Sequence, residues 1–237
     1  MYYKFLLFDL DHTLFDFDMA EDIALTELLQ TEKVEDIQAY KEYYIPMNRA
    51  LWDALSLKRI TKEELLNTRF SKLFSHFGKE VDGCDLAQKY QYFLSRQGQT
   101  FDGARILLEM LTDQGYRIFG ATNGVQFIQE GRLSVSEVGQ LFEKVFISGA
   151  TGLQKPDKAF FDWIASEVDG FETKQALMIG DSLLADIQGG NNAGIDTAWY
   201  NPKELENTSS ALPTYTIKTY QDLIDILKIV IISYKIL

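Results

Sequence analysis

Short apolar runs alternate along this chain with longer stretches in which apolar residues recur every three or four positions. Phe5-Leu6-Leu7-Phe8 is such a run, and with no polar position inside it, it reads as a strand covered on both faces, as in parallel sheets. Runs of the same kind predict strands at 4–9, 116–121, 144–147, 176–179, 195–199 and 214–217. Helical spacing dominates 21–30, 37–55, 61–77 and 84–95, with almost no strand signal between them. Strand and helix alternation predicts an α/β fold with a doubly wound parallel sheet. The long helical interval after the first strand predicts an insertion, so that residues 1–16 and 99–237 form the core and 17–98 a small helical domain.

Chemistry gathers where the predicted strands end. The first run delivers Asp9 and Asp11, one residue apart, at its carboxyl end, which is where open α/β sheets bind their ligands. Two acids there suit Mg²⁺, which takes hard oxygen ligands and shares its shell with phosphate and water. Asp-x-Asp alone is also at home in a solvated or capped turn. Three later segments raise its meaning. Arg117-Ile118-Phe119-Gly120-Ala121-Thr122-Asn123-Gly124 is a strand ending in a hydroxyl residue and a turn; Lys155-Pro156-Asp157 sets a lysine ahead of a helix; and Leu177-Met178-Ile179-Gly180-Asp181 runs into a further acid, with Asp186 five residues on. Taken singly, the first is a turn signal, the second a helix start with proline in its first position, and the third a helix cap.

Taken together and in this order, these four segments resemble the motifs of the haloacid-dehalogenase-like hydrolase superfamily, over nearly the whole chain. The resemblance implies a Rossmann-like core, Asp9 as a nucleophile that forms an aspartyl-phosphate, and Asp11 as the acid and base. It further implies Mg²⁺ held by the Asp9 and Asp181 carboxylates and the Asp11 backbone carbonyl, with Asp186 behind them orienting the metal shell or Lys155. Thr122, Asn123 and Lys155 would bind phosphate, Asn123 through its backbone amide. A carboxylate nucleophile splits one difficult hydrolysis into two displacements, and the cations offset the repulsion between anions.

In that superfamily dehalogenases lack the second acid, so Asp11 points to phosphomonoester chemistry. The resemblance makes the helical insertion a lid that excludes water and selects the leaving group. Phe15-Asp16-Phe17, Asn48-Arg49-Ala50-Leu51-Trp52, Ile60-Thr61, Arg69-Phe70 and the Thr-Asn-Gly turn are similar to the house-cleaning pyrimidine 5′-nucleotidases. That similarity implies a nucleoside monophosphate as substrate, with Phe17 and Trp52 stacking on its base and Asn48 and Arg69 reading its edge. Aromatic residues on helices are equally the stuff of cores. A sugar-phosphate or phosphoglycolate phosphatase, a phosphomutase and a non-catalytic scaffold are the alternatives.

Composition narrows the partners. At 237 residues the chain holds a core domain plus a smaller one, and a net charge of −12 disfavours a nucleic-acid polymer. The single cysteine, Cys84, reads as a buried spacer, and His12, inside the first motif, as a positioning residue. With no leader and no run of ~20 apolar residues, a cytoplasmic location without membrane contact is expected. The apolar end, 227–237, is expected to pack on the core or a partner.

Overall fold

The computed structural model describes residues 2–228, and its chain divides into two compact units. One comprises Met1–Leu14, Phe101–Asn123 and Gln140–Leu237; the other comprises Phe15–Thr100 and Gly124–Gly139. The strands are β1 (Phe5–Phe8), β2 (Arg117–Thr122), β3 (Lys144–Ile147), β4 (Ala176–Gly180), β5 (Asp196–Tyr200) and β6 (Tyr215–Ile217). The helices are α1 (Phe17–Thr31), α2 (Ile37–Ser56), α3 (Lys62–His76), α4 (Gly83–Ser95), α5 (Ala104–Asp113), α6 (Gln126–Val135), α7 (Lys158–Glu167), α8 (Gln188–Ala193) and α9 (Tyr220–Ile226).

The first unit is built on a parallel sheet whose order among the described residues is β3-β2-β1-β4-β5-β6. The chain winds outward from β1 through β2 to β3, then returns to the other side of β1 for β4, β5 and β6. This reversal is the switch point at which doubly wound sheets open a crevice beyond their carboxyl ends. Register aligns Phe8, the last residue of β1, with Gly120 on one side and Ile179 on the other, so β2 runs two residues and β4 one residue beyond it. Phe5 and Leu7 of β1 pack with Phe119, Phe146 and Met178 and with Phe160, Phe161 and Ile164 of α7. Full burial of each large apolar side chain contributes about 1.5–3 kcal/mol. Helix α7 begins at Lys158 with Asp157 in the position before it, so Pro156 lies before the helix and not in its first turn.

The second unit is helical. Asp16, Asp36, Thr61 and Asp82 each accept a backbone amide of the helix that follows, satisfying donors that α1 to α4 would otherwise leave open. Helix α1 therefore starts at Phe17, earlier than apolar spacing suggests. Leu25 and Leu28 of α1, Tyr44 of α2, Phe70 and Leu73 of α3 and Tyr90 and Leu94 of α4 share one core with Ile128 of α6. Segment Gly124–Gly139 belongs to this unit because α6 packs closely on α4: a Cβ at Gly131 would stand 2.6 Å from the Ser95 carbonyl oxygen, and Arg132 Nε donates to the Gln97 carbonyl at 2.8 Å. Cys84 is exposed, not buried, since it occupies the first turn of α4 beside its Asp82 cap. No helix among the described residues is long and apolar enough to cross a membrane. Of the apolar end, 229–237 lies outside the described residues; Leu227 accepts the Tyr116 hydroxyl through its carbonyl at 3.2 Å.

Candidate active site

Asp9 leaves β1 with its backbone amide still bonded to the Ile179 carbonyl of β4 at 2.8 Å, which fixes its side chain at the switch point. The chain then turns tightly: Thr13 and Leu14 donate to the Leu10 carbonyl at 3.3 and 2.9 Å, and His12 takes a left-handed φ of 62°. Histidine is among the non-glycine residues enriched there, so the structure gives His12 a place in shaping the turn that carries Asp11.

Lys155 organises the centre. Its side chain is only 1% exposed, and Nζ donates to Asp9 Oδ1 at 2.7 Å, Asp186 Oδ1 at 2.6 Å and the Ala121 carbonyl at 2.6 Å. All three donors of the ammonium are thus spent, and the carbonyl partner comes from β2 beside Thr122. Asn123 holds the lysine's backbone: its Oδ1 accepts the Lys155 amide at 2.9 Å and its Nδ2 donates to the Lys155 carbonyl at 2.8 Å. With the amide side chain so engaged, Asn123 orients Lys155, and any bond to phosphate falls to its backbone. Thr122 ends β2, almost wholly buried.

Asp181 follows β4 directly, and its carbonyl accepts the Trp199 indole N–H at 2.9 Å. Asp186 stands on a π-helical turn, Leu183–Ile187, started by the Ser182 side chain capping Ala185 at 3.1 Å. The Ser182 amide donates to Asp186 Oδ2 at 3.0 Å, so each oxygen of that buried carboxylate has a fixed partner. Gly180 permits the approach, since a Cβ there would sit 2.2 Å from Asp186 Oδ2.

Asp9, Asp181 and Asp186 each offer a carboxylate oxygen, and these oxygens lie within 4.8 Å of one another. Three acids around one ammonium leave an excess of two negative charges when all are ionised. Burial raises the Asp9 carboxyl to about 7 against the pull of Lys155, with Asp186 adding to the rise. Burial, then Asp9 and Asp186, carry Asp181 well above the usual carboxylate range. Burial disfavours the Lys155 ammonium too, but Asp186 and Asp9 outweigh it and hold the lysine above its ordinary value. Hard oxygens, close spacing and two uncompensated charges fit a divalent cation such as Mg²⁺.

The other predicted residues lie in the helical unit and fall into separate contacts. Asn48 and Arg69 are both deeply buried and share Glu21: Asn48 Nδ2 donates to Glu21 Oε1 at 3.0 Å, and Arg69 acts on the same carboxylate through its charge. Phe17 lies under the Arg132 guanidinium, 5.5 Å from the ring centre, and Trp52 lies 6.0 Å from Lys62 Nζ. Sequence reasoning missed the Ala121 carbonyl, the Ser182 amide, Trp199 and Glu21. A serine immediately before a helical turn signals the Ser182 cap. Nothing in the sequence marks a backbone carbonyl as a lysine's partner.

The model of the haloacid dehalogenase-like hydrolase family matches residues 6–200. Pyrimidine 5′-nucleotidase PynA of Streptococcus pneumoniae is 60% identical over 227 residues, covering 96% of both chains. Pyrimidine 5′-nucleotidase YjjG of Escherichia coli is 28% identical over 94% of this chain and 97% of its own. Among solved structures, the HAD-hydrolase YfnB of Bacillus subtilis, bound to magnesium, superposes with a TM-score of 0.92 at 40% identity, over 97% of this chain and 100% of that one. Acids at the ends of adjacent parallel strands, a lysine held between them and a family match over most of the chain lead to one conclusion: this protein belongs to the haloacid dehalogenase-like hydrolases.

Proposed function

We propose that this protein is a Mg²⁺-dependent phosphomonoesterase that hydrolyses nucleoside 5′-monophosphates, with a preference for pyrimidines. The observation that carries the chemistry is the buried Asp9–Lys155–Asp186 array with Asp181 beside it. Support for the substrate comes from the 60% identical relative named as a pyrimidine 5′-nucleotidase.

In this reading an Asp9 carboxylate oxygen attacks phosphorus while the bond to the nucleoside oxygen breaks, giving an aspartyl-phosphate. Asp11 gives its proton to the departing oxygen. It then takes a proton from water, which attacks the phosphoryl group, releases phosphate and restores the Asp9 carboxylate. Bound at the Asp9 and Asp181 carboxylates and the Asp11 carbonyl, Mg²⁺ would offset the negative charge of nucleophile and phosphate. Lys155 holds Asp9 in one orientation and offers a fixed positive charge, Asp186 locks Lys155, and Thr122 supplies a hydroxyl donor. Choice of the leaving group falls to the helical unit, read as a cap. A cytoplasmic site of action belongs to the same reading, supported by a sequence with a single, exposed cysteine.

The test is phosphate release with Mg²⁺ from pyrimidine and purine monophosphates, hexose phosphates and phosphoglycolate, with Asp9→Asn as the control. Preference for UMP and CMP is expected. Preference for a sugar phosphate or phosphoglycolate would keep the mechanism and discard the substrate; no release from any ester would remove both.

A further inference from the structure

Tyr220 opens α9, far along the chain from Asp11, yet its hydroxyl reaches the turn that carries that acid. It donates to the Thr13 carbonyl at 2.7 Å, across 207 positions of sequence. The ring is held from two directions. It stacks on Tyr200, the last residue of β5, with centres 5.5 Å apart and planes at 15°, and a Cβ on Gly103 would lie 3.7 Å from its edge. The start of its helix is fixed as well, because Thr219 and Asp222 cap each other. The Asp222 amide donates to Thr219 Oγ1 at 3.2 Å, and the Thr219 amide to Asp222 Oδ2 at 2.9 Å.

The turn is tied at both ends. At its start the Leu10 carbonyl accepts the Thr13 and Leu14 amides at 3.3 and 2.9 Å, and past it the Leu14 carbonyl takes the Phe101 amide at 2.9 Å. Within it, His12 at φ 62° occupies the left-handed region, a narrow well for a residue with a Cβ. Thr13 is fully buried, and its hydroxyl oxygen has no hydrogen-bond partner among the described residues, so its own side chain does not tether it. The Tyr220 bond does. Only His12 separates Asp11 from Thr13, so the direction of the Thr13 peptide sets the direction in which Asp11 leaves the turn. We infer that Tyr220 is a positioning residue for Asp11: through the Thr13 carbonyl, its hydroxyl holds that acid where it can protonate the leaving oxygen. In that step an Asp9 oxygen bonds to phosphorus, and the bond from phosphorus to the ester oxygen breaks with its electron pair passing to that oxygen. The Asp11 proton then neutralises it. This inference rests on the acid role of Asp11 proposed above and adds the residue that gives the role its geometry.

The experiment uses Tyr220→Phe, which keeps the ring and its stack on Tyr200 and removes only the hydroxyl, with Asp11→Asn and the double variant beside it, all with Mg²⁺. It reads kcat/KM, which covers events up to departure of the leaving group and so excludes the later attack by water. UMP and ribose 5-phosphate expel an alkoxide that needs a proton; 4-nitrophenyl phosphate expels a stable phenolate that does not. Tyr220→Phe should lose about 10–100-fold on the first two esters and under about 3-fold on the third, the mark of a misplaced proton donor. Asp11→Asn should show the same split more strongly, and adding Tyr220→Phe to it should cost no further activity on UMP. Equal losses on all three esters, no loss on any, or losses that multiply in the double variant would each overturn the assignment. Loss of cooperative melting in Tyr220→Phe would do so too, by making the hydroxyl structural. An Asp11→Asn protein without the split would instead remove the acid role on which the inference rests. A wild type that releases phosphate from none of the esters would sink the phosphatase reading itself, visible before any variant is made.

Discussion

Replacing Lys155 by methionine keeps the length of the side chain and removes the ammonium that the buried acids Asp9 and Asp186 face. Asp9 and Asp186 would each lose a hydrogen-bonded cation at 2.7 and 2.6 Å, inside a site where the lysine is 1% exposed. Breaking a buried ion pair from one side costs about 3–5 kcal/mol, because the abandoned charge has neither water nor partner. For a chain of this size that loss lowers Tm by roughly 6–20 °C. The loss should grow as pH rises above about 7, where Asp9 ionises beside the lysine and without it holds on to its proton; at pH 6, where Asp9 keeps its proton in both proteins, the loss should shrink. Thermal unfolding in EDTA at pH 6 and pH 8 measures it, and phosphate release should fall by at least about 10²–10³-fold. Added Mg²⁺ should raise Tm by more in the variant than in the wild type, since the acids then hold a larger uncompensated charge. Adding Asp186→Asn should recover part of the stability, as a double-variant cycle reads directly. A Lys155→Met protein that melts with the wild type at pH 8 in EDTA would refute this account of the charges.

Asp11→Asn should lower turnover by about 10²–10⁴-fold while Mg²⁺ affinity, read by calorimetry, stays nearly unchanged; equal loss of both contradicts an acid and base role. Chelation should abolish phosphate release, and Mg²⁺ at a hundred times its dissociation constant should stabilise the protein by about 2.7 kcal/mol, a gain that Asp181→Asn should erase in the same melting assay. Gly180→Ala should push Asp186 away from Lys155 and cost about 1–3 kcal/mol, seen as a shifted urea midpoint; wild-type stability would deny the close approach. Glu21 has a different signature. Burial raises its carboxyl from 4.5 to about 7, so the folded state binds its proton more tightly than the unfolded chain and stability falls as pH rises between those values. Glu21→Gln should therefore match the wild type at pH 4.5 and exceed it at pH 8 by up to about 3 kcal/mol in denaturant melts; a pH-independent difference would place the burial elsewhere.

The sequence determined by itself what depends on local pattern. Apolar runs that end in Asp9, Thr122 and Asp181 are strands because those side chains can be buried only between covering layers, and the acid or hydroxyl marks where the strand leaves the sheet. Four helices in the insertion were legible from apolar spacing in the same way. Local pattern misled where packing chose differently. Pro156 precedes its helix, Cys84 faces out on a first turn, and 124–139, adjacent in sequence to a sheet motif, joins the helical unit through the close contact at Gly131. Tertiary structure alone decided which acids share a lysine: Asp9, Asp186 and the Ala121 carbonyl come from three segments far apart in the chain, joined by strand order and register. It alone decided that Glu21, which on a helix reads as a solvated charge, is buried with Asn48 and Arg69. Burial and partnership are properties of surfaces brought together by folding, and a one-dimensional pattern records only one of the surfaces.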